Sequence, residues 1–259
     1  MMLNKSKMLE IIRKQLAIDL NCQPEDFTKD GIVFCEAILK EGRRRFDRQA
    51  PFLEITTMGK GTVISADSTI LPKIRQVLEN RTTDDIFAAP FIYGHSLYYI
   101  PDCNRIEKLP FPEGFEICLK EGNEVQELYN TKGFENAIIY DNNYPRPDVI
   151  ALYAKYHNEI VAMAGASEDS KTMWQIGIDV LSDFRNKGLA ASLVSNLAIM
   201  IMEKDILPYY GTASSNIASQ AVAYRSGLIP TWMCSYQNTL DGLSPYASNL
   251  SIVFSPGGF

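Results

Sequence analysis

The sequence predicts a mixed α/β chain whose main sheet is largely antiparallel and flanked by helices, with a smaller α/β part toward the N-terminus. Three observations carry that expectation. Beyond residue 148, strand-like and helix-like stretches alternate. The first two of these strands, "DVIALYAKYHN" and "EIVAMAGASED", are separated only by a polar turn at His157, Asn158 and Glu159, the spacing of an antiparallel hairpin. The first hundred residues hold a different mixture, helical runs beside aromatic extended ones.

At 259 residues and 46% hydrophobic composition, the chain can bury a sizeable core in one large domain or two of ordinary size. Its 31 acidic residues outnumber 25 basic ones, for a formal charge of -6. That balance argues against a surface built to neutralise nucleic acid phosphates, so any anion must be held locally. The first twenty residues place apolar side chains at helical spacing but interrupt them with Lys5, Lys7, Glu10, Arg13 and Lys14, unlike the apolar run of a signal peptide. No stretch approaches the roughly 20 apolar residues of a membrane span. The expectation is a cytoplasmic protein with no nucleic acid or membrane partner, and a homodimer is a compatible assembly. Cys22, Cys35, Cys103, Cys118 and Cys234 are an odd number at wide spacing, with only His95 and His157 to join them. They predict neither a disulfide framework nor a metal site.

Taken in order, helices are expected over residues 3–20 and 31–46. Extended "EITTMGKGTVISA", a helix around "LPKIRQVLEN" and the strand-rich "APFIYGHSLYYIP" come next. Pro101, Pro110, Pro112 and Gly114 make "PDCNRIEKLPFPEG" a connection, because they interrupt regular ladders. The domain boundary is placed there, dividing residues 1–112, a mixed α/β domain of unassigned role, from residues 113–259. After the hairpin, "TMWQIGIDV" is a third strand with Ile176, Ile178 and Val180 on one face. Leu189, Leu193, Leu197 and Ile201 recur every four residues, the apolar stripe of a helix of about four turns. "ILPYYGTAS" returns as a strand and "SNIASQAVAYRSG" follows as a short helix, Asn216 suited to its N-cap and Gly227 to its stop. The strands "LIPTWMCSYQ" and "NLSIVFS" close the chain.

This order puts "RNKGLA", residues 185–190, at the end of a strand and the start of a long helix. There several backbone N–H groups lack intrahelical partners and the helix dipole favours an anion. Gly188 lets the main chain approach a ligand, Ala190 keeps the first turn small, and Arg185 and Lys187 add positive charge. The ligand expected is a pyrophosphate. "MGKGTV" at 58–63 lacks the order of a P-loop, and no G-x-G-x-x-G occurs, which disfavours nucleotide triphosphates and NAD.

The segment "VLSDFRNKGLAASLVSNLA" resembles the acyl-CoA-binding motif of the GNAT superfamily of N-acyltransferases: Arg or Gln, two residues, Gly, one residue, then Gly or Ala. Arg185, Gly188 and Ala190 stand in that pattern. A second motif, an Asn with a Tyr eight and a Gly eleven residues on, is met by Asn216, Tyr224 and Gly227. The resemblance covers about residues 113–240 and implies a GNAT-like sheet splayed around the cofactor. It implies an N-acetyltransferase that moves an acetyl group from acetyl-CoA, its cosubstrate, directly to a primary amine of a small molecule, peptide or protein. By the same resemblance the pyrophosphate lies on the amides of Arg185, Asn186, Lys187, Gly188, Leu189 and Ala190, and the pantetheine pairs with the strand at Ile178 and Val180. Asn216 belongs to the same cofactor-binding set. Tyr224 is the catalytic candidate, as proton donor to the departing thiolate.

No metal and no covalent acyl-enzyme are needed; "GHSLY" at 94–98 lacks the second glycine of a nucleophile elbow, and His95 and Ser96 read as structural. Trp174 or Gln175 stands where some family members carry an acidic base, and neither can act as one, which favours an ordered water chain. The nearby carboxylates Glu168, Asp169 and Asp179 read as solvated turn or strand-edge charges. The arginines of "EGRRRFDRQ" at 41–49 read as a solvated face, and the aromatic stretch from Phe87 to Tyr99 as buried strand rather than an acceptor pocket. The alternative function is a CoA-binding sensor with little catalytic activity.

Overall fold

The computed structural model describes residues 3–44, 53–141 and 143–238. The strand expected at "NLSIVFS" and residues 45–49 of the arginine-rich stretch lie outside these. In chain order the elements are α1 (Lys5–Leu20), β1 (Gly31–Glu36), β2 (Leu53–Thr57), β3 (Gly61–Ala66), α2 (Leu71–Leu78), α3 (Thr83–Phe87) and β4 (Ile92–Pro101). There follow β5 (Glu116–Glu121), β6 (Asp148–Tyr156), β7 (Glu159–Ser170), β8 (Met173–Val180), α4 (Leu189–Met202), β9 (Leu207–Ala213), α5 (Ile217–Arg225) and β10 (Leu228–Asn238). The chain packs as two compact units: Met1–Ile11 with Tyr98–Pro230, and Ile12–Leu97 with Thr231–Phe259.

In the second of these units the strands lie in the order β1-β3-β2-β10-β4. β1 and β3 run parallel, while β2 pairs antiparallel with both β3 and β10. Leu53, Ile55, Ile64, Ile74, Leu78, Ile86 and Phe91 form its core. The helix expected over residues 31–46 is not formed. "GIVFCE" is instead strand β1, because its β-branched and aromatic residues pair with Gly61–Ala66. Arg43 and Arg44 are likewise not a solvated face. Arg44 is 3% exposed, and its Nε lies 2.6 Å from the Asp19 carboxylate, which also accepts from the Gln15 amide. Arg43 pairs with Glu54 at 3.5 Å.

In the first unit the sheet order is β9-β8-β7-β6-β5. β5 to β8 pair antiparallel throughout, and only β8 and β9 run parallel. The β6–β7 hairpin turns at His157 and Asn158, both left-handed, φ 48° and 66°. The mainly antiparallel mixed α/β architecture is thus as expected. β5, and the 3-10 segment Gly122–Asn130 after it, were not legible in the sequence pattern.

Helix α4 buries Leu189, Leu193, Leu197 and Ile201, the stripe read from the sequence, and packs against β6 to β9. The opposite face of the sheet receives residues 134–138, which cross it where two glycines are in register, Gly165 opposite Gly177. A Cβ at either would collide with the carbonyl oxygen of Ala137 or Asn136. Because side chains alternate along a strand, Gln175, Gly177 and Asp179 share this face, and Ile176, Ile178 and Val180 take the other.

Candidate functional site

The β8–β9 ladder ends at Ile176–Tyr210, yet β8 continues to Val180. Over residues 177–180, where Ile178 and Val180 lie half-buried, β8 keeps its pairing to β7 but has no strand on its other edge among the described residues. The two parallel strands therefore part, leaving a length of backbone edge open.

From Val180 the chain makes a single 3-10 turn, Ser182–Phe184, and reaches α4 through Arg185 to Gly188. Asn186 and Gly188 are both left-handed, φ 62° and 87°, the first tolerated by Asn and the second favouring Gly. Gly188 is the N-cap of α4 and carries no side chain to satisfy the first turn. The first backbone bond of that turn is Ser192 N–H donating to Gly188 O at 3.1 Å. The amides of Asn186 to Ala191 have no acceptor among the described residues. Arg185, Asn186, Lys187 and Gly188 are exposed, Ala190 is half-buried, and Leu189 is buried as the anchor of the helix. The Arg185 Nε folds back to donate to Val180 O at 3.0 Å, and the Lys187 ammonium lies 4.9 Å from the centre of the Phe184 ring. A row of unpartnered amides beside two cations at a helix N-terminus can hold a polyanion.

On α5, Asn216 is the N-cap, its Oδ1 accepting from Ser219 N–H at 3.1 Å. Tyr224, near the other end, is 61% exposed. The Arg105 guanidinium lies over its ring at 4.1 Å and donates to its carbonyl oxygen at 3.1 Å. Gly227 is left-handed at φ 81°, and a Cβ there would stand 2.9 Å from the Arg105–Ile106 backbone. The hydroxyl of Ser226 donates to Ala191 O at 3.2 Å, tying α5 to the first turn of α4. Residues 102–109 run along both helices: Asp102 N–H donates to Gly227 O, Ser195 Oγ donates to Glu107 O, and the Asn196 amide donates to Leu109 O.

Of the three carboxylates near β8, two are held by protein donors. Asp179 accepts from the amides of Asn136 and Ala137 and from the Asn136 side chain, and so holds residues 136–137 on the sheet. Asp169 is 7% exposed; Arg146 donates to it at 3.1 Å, Ser167 at 2.7 Å, and the Tyr209 hydroxyl bonds to it as well. Burial disfavours the charge of Arg146, but Asp169 together with Tyr144 and Tyr209 outweighs this and holds the guanidinium above its ordinary value. Arg146 and Tyr209 also approach Gln175 Oε1, at 3.4 and 3.2 Å. Arg105, Arg146 and Tyr209 escaped the sequence reading. Arg105 sits in the proline-rich connection, and only the flanking Pro145 and Pro147, which stiffen the backbone, mark Arg146. Ser96 is buried and His95 packs edge-on to Phe87 at 5.7 Å; Phe87, Phe91 and Tyr99 are buried, as expected of strand and core. No helix is long and apolar enough to cross a membrane, and no metal-holding cluster occurs among the described residues.

Residues 104–228, just under half of the chain, match the model of the acetyltransferase (GNAT) family. No curated protein matches the chain. Among solved structures it is similar to a GNAT-family protein from Novosphingobium aromaticivorans, at 15% identity and TM-score 0.43 over 55% of this chain and 63% of that one. It is also similar to a GNAT acetyltransferase from Colwellia psychrerythraea, at 12% identity and TM-score 0.43 over 69% and 76%. A GCN5-related N-acetyltransferase-like protein from Streptococcus suis is similar at 14% identity and TM-score 0.47, over 90% of this chain and all of that one. The chain thus spans less than two thirds of the first of these. Residues 104–228, which hold both the open edge of β8 and the amide loop before α4, are thus the part of the chain that is similar to the acetyltransferase (GNAT) family.

Proposed function

We propose that the chain is an N-acetyltransferase that binds acetyl-CoA at the loop Arg185–Ala190 and transfers the acetyl group directly to a primary amine of a small molecule, peptide or protein. The observation that carries this reading is the left-handed Gly188 at the N-terminus of α4, with the amides of Asn186 to Ala191 lacking acceptors. These residues fit a pyrophosphate: the donors are backbone, the surroundings are exposed, and Lys187 stands at the rim. The open edge at Ile178 and Val180 fits the amide-bearing pantetheine arm, although Val180 O already accepts from Arg185. Acetyl-CoA would supply the acyl group as an activated thioester.

Tyr224 is assigned the proton donor to the thiolate that leaves. Hydrogen bonding to the departing sulfur is a large part of that role. Asn216 caps the helix that carries it. A lysine-like amine is neutral at pH 7 in only about one molecule of 2,500, and its proton must leave. Asp179 is occupied by three donors and Asp169 by Arg146, Ser167 and Tyr209, so an ordered water chain past Gln175 is the route we favour. The acidic balance of the chain suits neither nucleic acid nor an anionic membrane as partner.

The test is isothermal titration with acetyl-CoA, ATP and NADH, repeated on Gly188→Glu. Saturable binding of acetyl-CoA alone, abolished by the substitution, is the expected result; no acetyl-CoA binding by the wild-type chain overturns the reading. Tyr224→Phe should then lose turnover while keeping acetyl-CoA affinity. A CoA-binding sensor would be indifferent to it.

A further inference from the structure

We infer that Arg105 is a positioning residue for Tyr224, and that the 102–106 segment is part of the catalytic apparatus rather than a passive connection. The inference rests on the proposed role of Tyr224 as proton donor.

Tyr224 is 61% exposed and has little of its own to fix it. Left to solvent, a phenol on a two-torsion side chain samples several rotamers. Arg105 restricts that freedom through its contact with the ring, and the backbone bond holds the guanidinium there. Its guanidinium covers one face of the ring at 4.1 Å, within the range of a cation–π contact, and its Nη2 donates to the Tyr224 carbonyl oxygen at 3.1 Å. The planar fork of arginine can do both at once; the point charge of lysine cannot.

The backbone behind Arg105 is itself fixed. Arg105 and Ile106 N–H both donate to Asp102 O, and Asp102 N–H donates to Gly227 O at 3.0 Å. The segment lies so close to the end of α5 that a Cβ at Gly227 would stand 2.9 Å from Ile106 Cα and 3.0 Å from Arg105 O. The glycine of the second motif thus permits the approach that brings Arg105 over the tyrosine of the same motif. The arrangement also has an electrostatic consequence. Negative charge that develops on the phenol as its proton leaves is shared by the ring, and the ring faces a guanidinium. Arg105 touches neither sulfur nor amine in this scheme; it acts through Tyr224.

The experiment compares Arg105→Gln, Arg105→Lys, Tyr224→Phe and the double variant Arg105→Gln/Tyr224→Phe. One readout is release of CoA thiol from acetyl-CoA with a mixed pool of primary amines. The other, needing no turnover, is the ring carbon resonance of Tyr224 in tyrosine-labelled protein, assigned by its loss in Tyr224→Phe. Arg105→Gln should lower kcat about tenfold at unchanged KM for acetyl-CoA and shift the Tyr224 resonance, Arg105→Lys should recover part of kcat, and the double variant should be no slower than Tyr224→Phe alone. An unmoved resonance in Arg105→Gln overturns the inference, as does an equal fold loss from Arg105→Gln with and without the tyrosine hydroxyl. If Tyr224→Phe turns over normally, the donor role falls and the inference with it. If only Arg105→Gln is silent, the donor role stands and the inference alone fails.

Discussion

Two glycines in the same backbone region separate two kinds of constraint. Gly188 and Gly227 are both left-handed, φ 87° and 81°, so an alanine at either carries the strain of an L-residue in that conformation, about 1–2 kcal/mol. Their surroundings differ. A Cβ at 188 meets nothing nearer than Pro112 Cγ at 3.7 Å, an ordinary contact. A Cβ at 227 meets Ile106 Cα at 2.9 Å, Arg105 O at 3.0 Å and Arg105 C at 3.2 Å, all backbone, which must shift. Overpacking of that kind adds about 1–3 kcal/mol. Gly188→Ala should therefore destabilise by about 1–2 kcal/mol and Gly227→Ala by about 2–5 kcal/mol. At roughly 2–4 °C per kcal/mol, the second variant should melt several degrees below the first. Urea unfolding followed by circular dichroism measures both, with an unchanged slope showing that the compactness of neither end state moved. Equal losses in the two variants would refute the claim that the 102–106 backbone is held against α5, because strain in φ alone predicts equality.

Asp148 provides a pH test. Burial raises its carboxyl above the ordinary range despite bonds from Ile139 N–H, the Tyr129 hydroxyl and Tyr140 N–H, and its Oδ1 has no partner. A folded value above the unfolded one gives stability that is full below the unfolded value, near 4, and lost as pH rises through the folded value. Melting temperatures of wild type and Asp148→Asn should therefore diverge in the variant's favour from pH 4 to pH 7, and a constant difference would contradict the raised value. The cysteines provide a second test, read by alkylation at pH 8 and peptide mass mapping. Exposed Cys103 should label first; burial pushes Cys35 up to about 11 and Cys22 up to about 12, leaving about one thiolate in a thousand or fewer, so both should lag. Cys234, buried against the Thr56 hydroxyl, should react only on unfolding, and early labelling there would show the sheet of that unit to be open.

What was legible in the sequence is what local pattern determines. The stripe of α4, the polar turn of the β6–β7 hairpin, the cap at Asn216 and the stop at Gly227 each follow from a spacing or from a residue with one backbone preference. The errors share a different cause. Residues 31–36 are a short apolar run that local pattern does not assign, and they become strand because Gly61–Ala66 lie beside them, a pairing thirty residues away. Arg44 reads as one of a run of surface charges, and its burial depends on Asp19 from a separate helix. Asp169 reads as a turn charge until Arg146 and Tyr209, 23 and 40 residues along the chain, are brought to it. At the candidate site the amide loop is local and was legible; the guanidinium over Tyr224 comes 119 residues from its partner, beyond the reach of any motif.

β8 shows why the legible and the illegible parts belong together. Its glycine, Gly177, and its carboxylate, Asp179, are spent on the face that receives residues 136–137, so the strand is fixed from one side by contacts that do no chemistry. α4 fixes it from the other. Its edge is then free to part from β9 after Ile176 without loss of position, because β7 still pairs with every residue to Val180. The short 3-10 turn and the two left-handed residues that follow deliver the chain into α4 within the same rigid frame. An anion on the amides of Asn186 to Ala191 and an extended arm along Gly177 to Val180 would thus be held by one continuous stretch of backbone. Arg185 and Lys187, exposed at its rim, would adjust affinity without moving the cradle.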